Sequence, residues 1–149
     1  MARVPGSRSP ACCARTSPRI APGDCFALLA YVEMKAAHHE ALQTNPHRGR
    51  DTRRVATCLG FGPRFLHSTG QAYKGGPDSG VFVQVTCEDA ADLAIPGHAY
   101  TFGVVKAAQA RGDLEVLAER GPRVLRVHLA GDVGAGLARL GELFADALR

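Results

Sequence analysis

Four short apolar runs recur along this chain, separated by segments of helical spacing, and that alternation does most to limit the fold. "CFALLAYV", from Cys25, is a continuous apolar run of strand length. "RVATCLGFG" reads as a second strand. "GVFVQVT" (Gly80–Thr86) alternates and is rich in valine, so it is a third. "RVLRVHLA" (Arg123–Ala130) is a fourth. Between the first two, Met34, Ala37, Ala41 and Leu42 fall at helical spacing, and the polar "TNPHRGR" is expected to end that helix. Residues 89–100 hold Pro96 and Gly97 and read as loop. Thr101 suits the cap of a helix carrying Phe102, Val105 and Ala108, which Gly112 is expected to break. Asp113 would then cap another short helix, with Val116 and Leu117 inward. Asp132 suits the cap of a last helix, whose Val133, Leu137, Leu140, Phe144 and Leu148 form one apolar stripe. The expected fold is α/β, with about four mostly parallel strands and helices on the faces of the sheet. Such sheets bind ligands beyond the carboxyl ends of their strands.

The chain of 149 residues suits one domain. Residues 1–22 are rich in Arg, Ser and Pro and contain no acid, so they are expected to be a disordered tail. They lack the apolar stretch of a secretory signal; a transit-like peptide and a translated upstream stretch both fit. Residues 23–149 are expected to form the α/β domain. The net charge of +4 comes from Arg3, Arg8, Arg15 and Arg19; the other 14 basic residues are matched by 14 acidic ones. With no basic stripe interleaved with aromatics, a nucleic-acid partner is not expected. No apolar run approaches the roughly 20 residues of a membrane-spanning helix. Five scattered cysteines (Cys12, Cys13, Cys25, Cys58, Cys87) give neither metal spacing nor a C-x-x-C pair. They fit a reducing, cytoplasmic setting, with Cys58 and Cys87 as small buried apolar residues and no metal or cofactor.

The stretch "GFGPRFLHSTGQAYKGGPDSG" (Gly60–Gly80) follows the second strand and is the main candidate for chemistry. Pro63 suits the first turn of a helix reaching about Gln71, whose free N–H groups would attract an anion. Ser68, Thr69 and backbone N–H groups suit phosphate oxygens, and Gln71 can serve sugar hydroxyls. Histidine exchanges protons near neutral pH, which suits His67 to acid or base work. Arg64 and Lys74 add positive charge, and Gly75 and Gly76 let a ligand approach the backbone. The stretch lacks the third glycine of G-x-G-x-x-G and the Ser/Thr of a P-loop, which argues against a nucleotide. Each residue also has an ordinary structural reading. Lys-Gly-Gly often marks an exposed turn, Ser68 and Thr69 can cap backbone groups, and Arg64 can be a solvated helix residue. His38 and His39 read as surface or half-buried helix residues. His47, His98 and His128 read as structural, and Asp92 as a turn residue.

The longer string "ATCLGFGPRFLHSTGQAYKGGPDSGVFVQVT" resembles the C-terminal part of bacterial bifunctional transaldolase/glucose-6-phosphate isomerase proteins. The resemblance extends from "FALLAYVE" through "IPGHAYTFGVVKAAQARGDLEVLAERG" to "RVLRVHLAGDVGAGLARL", roughly Asp24 to Leu140. "LHSTGQ" is also similar to a string of single-function bacterial glucose-6-phosphate isomerases, where the histidine opens the sugar ring; the resemblance places that role on His67. It implies a sugar-isomerase-like half domain acting on a sugar-phosphate substrate, glucose 6-phosphate or fructose 6-phosphate, without metal. The proton transfer between C1 and C2 needs a base, a glutamate in the family. The glutamate-bearing stretch, the lysine-bearing "Pro-Phe-Asp-Gln-Pro"-type stretch and the transaldolase half have no counterpart here. The expectation is a chain that acts with the remaining isomerase/transaldolase portion or a second chain, with no more than trace activity alone. A non-catalytic sugar-phosphate-binding or regulatory module is the alternative.

Overall fold

A computed structural model describes residues 20–120 and 123–149; the proposed tail lies almost wholly outside them. Four strands form one sheet: β1 (Cys25–Tyr31), β2 (Ala56–Phe61), β3 (Gly80–Cys87) and β4 (Val124–Leu129), in the order β2-β1-β3-β4. Every pairing is parallel, with Leu28 opposite Leu59 and Val83, and Val85 opposite Val127. Four helices connect or follow the strands: α1 (Ala36–Arg53), α2 (Thr69–Gly75), α3 (Phe102–Arg120) and α4 (Val133–Leu148). A 3-10 turn, Arg64–His67, precedes α2. β1 and β3 are buried along nearly their whole lengths, which explains why both read as continuous apolar runs.

Side chains alternate across the sheet, so two cores form. On one face Phe26, Leu28, Val83 and Val85 pack with Leu42 of α1 and with Leu137, Leu140 and Phe144 of α4. On the other, Ala27, Leu29, Tyr31 and Phe82 pack with Phe65 and with Ala110 and Leu117 of α3. α4 has the expected stripe and cap: Asp132 Oδ1 accepts a hydrogen bond from the Ala135 N–H at 2.6 Å. Asp132→Ala should therefore lower stability by about 1 kcal/mol. Urea unfolding should show an earlier midpoint with an unchanged slope.

Several local expectations need correction. Helix α1 does not end at "TNPHRGR" but runs through Pro46 to Arg53. A proline inside a helix costs about 3 kcal/mol. Here Leu42, Asn45, Pro46 and Gly49 are all buried, and that packing holds the helix together. It ends at Arg54, in the left-handed conformation, whose N–H donates to the Arg50 carbonyl. Met34 precedes the helix and is exposed. Gly112 does not break α3, because Ala110, Asp113 and Leu117 face inward and their burial outweighs about 1 kcal/mol of glycine propensity. Asp113 is thus a buried mid-helix residue and not a cap. Cys58 and Cys87 are half-buried rather than buried, and His38 is buried with Nδ1 2.9 Å from the Glu33 carbonyl oxygen.

Candidate functional site

The glycine-dense stretch leaves the carboxyl end of β2, as expected for a ligand loop. Its first part is tied to the central strand by a hydrogen bond from Gly62 N–H to the Ala30 carbonyl at 2.8 Å. A cis peptide joins Gly62 to Pro63. The continuous helix expected from Pro63 to Gln71 is instead the 3-10 turn and then α2, with the break at Ser68 (φ −138°, ψ −107°). Phe65 anchors the turn in the core, with its ring centroid 5.6 Å from that of Tyr31. With seven residues, α2 is too short to offer the helix N-terminal anion site anticipated from Pro63.

The structure divides the candidate set. Arg64, His67, Ser68, Thr69 and Gln71 are exposed near the carboxyl end of the sheet. Arg64 Nη1 lies 3.4 Å from Met34 Sδ. Ser68 Oγ donates to the Phe65 carbonyl, and Gln71 Nε2 donates to the Leu66 carbonyl at 2.6 Å. Lys74, Gly75 and Gly76 sit at the other end of α2, which returns towards the amino ends of the strands. The Lys74 ammonium is 2.7 Å from Asp113 Oδ1, and the Asp113 side chain is only 1% exposed. Tyr31 Oη reaches the other carboxylate oxygen at 3.4 Å. Burial first, then the Asp113 charge, raises the Tyr31 phenol well above its ordinary range.

A second feature lies one strand further on. The order β2-β1-β3-β4 means that the chain leaves β1 to one side, for β2, and leaves its neighbour β3 to the other side, for β4. Such a reversal opens a crevice at the carboxyl ends of the two strands. A cavity of about 320 Å³ sits there. Its floor is Tyr31, Thr86 and Cys87, with Arg126 and His128 on β4; its wall is the first turns of α3, from Gly103 to Ala110; its rim is Glu88, Asp89 and Asp92. Thr86 Oγ1 is 3.0 Å from His128 Nδ1 and accepts a hydrogen bond from Arg126 Nε at 3.4 Å. Lys106 pairs with Asp89. Asp92 fixes the rim: its carboxylate accepts from the Thr101 hydroxyl at 2.5 Å and from the Leu93 and Gly103 N–H groups at 2.8 Å. The Thr101 bond, then the Gly103 N–H, hold its carboxyl below the usual range. Burial raises the Cys87 thiol, so it is not poised as a thiolate.

Neither a family model nor a curated protein matches the chain. The solved structure of a hypothetical protein from Thermus thermophilus, TT0462, is similar in fold. It matches 93% of this chain at a TM-score of 0.68 and 20% identity. The chain spans 38% of the length of that protein. At this identity the likeness is one of fold, a parallel α/β sheet.

Among the described residues, no group of three or more His, Cys, Asp or Glu side chains is placed to hold a metal ion. No described helix is long and apolar enough to cross a membrane. Reading the sequence missed the cavity because its residues carry no motif. Thr86, Arg126 and His128 come together only through the register of two parallel strands, where Thr86 pairs with His128 and Gln84 with Arg126. The signal present was the alternation Arg126, His128 along one face of a strand otherwise made of Val and Leu.

Proposed function

We propose that this chain is the C-terminal piece of a glucose-6-phosphate isomerase-type enzyme, interconverting glucose 6-phosphate and fructose 6-phosphate together with chain supplied from elsewhere. The observation that carries the reading is the position of "LHSTGQ": it follows a parallel strand at its carboxyl end, with His67 exposed. There His67 would open the sugar ring, with Ser68, Thr69 and Gln71 holding phosphate or hydroxyl oxygens. Arg64, exposed on the same turn, adds a cation. The Lys74–Asp113 pair and the position of Gly75 and Gly76 support a structural part for these three residues. The base for the C1–C2 proton transfer would come from the remaining isomerase portion or a second chain.

The test is conversion of fructose 6-phosphate, read by coupling to glucose-6-phosphate dehydrogenase. The purified chain should show no more than trace turnover. Robust turnover abolished by His67→Ala would overturn the need for another chain while confirming the histidine. Restoration of turnover by an added isomerase portion, lost again in His67→Ala, is the result expected of a shared site. A non-catalytic sugar-phosphate-binding module is the second reading. It is favoured by the cavity at β1, β3 and β4, whose lining comes entirely from this chain.

A further inference from the structure

The cavity beyond β1, β3 and β4 has an uneven distribution of charge. Arg126 uses Nε on Thr86, and no carboxylate lies within ion-pair distance of it among the described residues. Its remaining guanidinium nitrogens are donors in a fixed fork. His128 is two residues along the same strand, hence on the same face, roughly 7 Å away. Its Nδ1 is engaged by Thr86. In the imidazolium and in the tautomer that accepts the Thr86 hydroxyl proton, Nε2 is a further donor. On the rim, just past the end of β3, Glu88 has no described partner, and Asp89 keeps one carboxylate oxygen beyond that bonded to Lys106. Val104, Ala107 and Ala110 of α3 add an apolar wall. The volume of about 320 Å³ suits a molecule the size of a sugar phosphate.

We propose that this cavity binds a small phosphomonoester whose body carries hydroxyl groups. The phosphate meets Arg126 and His128, and the hydroxyls donate to Glu88 and Asp89. An Arg fork and an imidazole approaching from separate positions suit a tetrahedral dianion better than a planar carboxylate, which one guanidinium satisfies alone. The acidic rim selects for hydroxyls, because a second anionic group there meets like charge. The inference does not depend on the isomerase reading, since no residue of the glycine-dense stretch lines this cavity.

Isothermal titration of the full chain with glucose 6-phosphate, inorganic phosphate and glucose tests it. Glucose 6-phosphate should bind, phosphate more weakly, and glucose not measurably. Arg126 is exposed, so Arg126→Ala should fold normally and weaken binding at least about tenfold. His128→Gln should weaken it less, and Arg139→Ala, on an exposed side chain of α4 outside both sites, should leave it unchanged. Added salt should weaken binding to the unaltered chain. Absence of binding at about 10 mM glucose 6-phosphate overturns the proposal, as does binding indifferent to Arg126→Ala. Equal affinity for phosphate and glucose 6-phosphate overturns its hydroxyl half. Binding lost only in His67→Ala overturns it in favour of the glycine-dense stretch.

Discussion

Lys74→Met should lower the stability of the chain by about 3 kcal/mol, the cost of leaving a buried carboxylate without its counter-ion. Asp113 is almost wholly covered and, among the described residues, has a long contact from Tyr31 Oη besides the ammonium. The methionine keeps most of the apolar stem of Lys74, so the loss reports on charge and not on packing. The partners should be unequal. Asp113→Leu strands a lysine that is 24% exposed and can reach water, so it should cost less. The double variant Lys74→Met/Asp113→Leu should recover most of the loss, because an apolar pair replaces two desolvated charges. Urea unfolding of all four proteins gives the answer. A loss below about 0.5 kcal/mol in Lys74→Met would mean that the pair is a solvated surface contact, and Lys74 would return to the set of ligand candidates.

Gly62→Ala should cost about 2–3 kcal/mol, the range for forcing extra volume into a packed site. A Cβ there would stand 2.5 Å from Tyr31 Cε1 and 2.7 Å from Cδ1 and Cζ. The ring cannot simply turn away. It is 1% exposed, packed edge-on against Phe65 and directed at Asp113. Because Tyr31 also lines the cavity, displacing it should alter both the glycine-dense stretch and the crevice beside it. Gly75→Ala is the control: nothing lies within 4 Å of the added atom, and alanine favours the helix by up to about 1 kcal/mol. Near-ultraviolet circular dichroism should change for Gly62→Ala and stay the same for Gly75→Ala. If thermal midpoints for the two fall together, the contact with Tyr31 is not what demands glycine.

The two central strands were legible because burial on both faces leaves a simple imprint, as in "FALLAYV" and "VFVQV". The last helix was legible because one side faces water and Asp132 caps it. Helix α1 was misread because Asn45 and Pro46 look like a turn by local chemistry, whereas burial beneath α4 decides their conformation. Asp113 was misread for a related reason. A short polar residue after glycine suggests a helix start, and only the position of Lys74, far along the chain, explains a carboxylate inside. At the candidate site, His67 and its neighbours announced themselves as a string, while Thr86, Arg126 and His128 depend on strand register. Local patterns carry contacts between residues near in sequence; the cavity is made of contacts that are not.

β1 lies inside the sheet, yet among the described elements it is the first to be synthesised. Its neighbours β2 and β3, and the helices over its two faces, all come later. Leu28 and Phe26 wait longest, since α4, which covers them, is the final element. Among the described elements this central strand is completed late: β2, β3 and α4 must all be in place before both its edges and both its faces are covered. Parallel pairing across long connections is slow to form and prone to misassociation meanwhile.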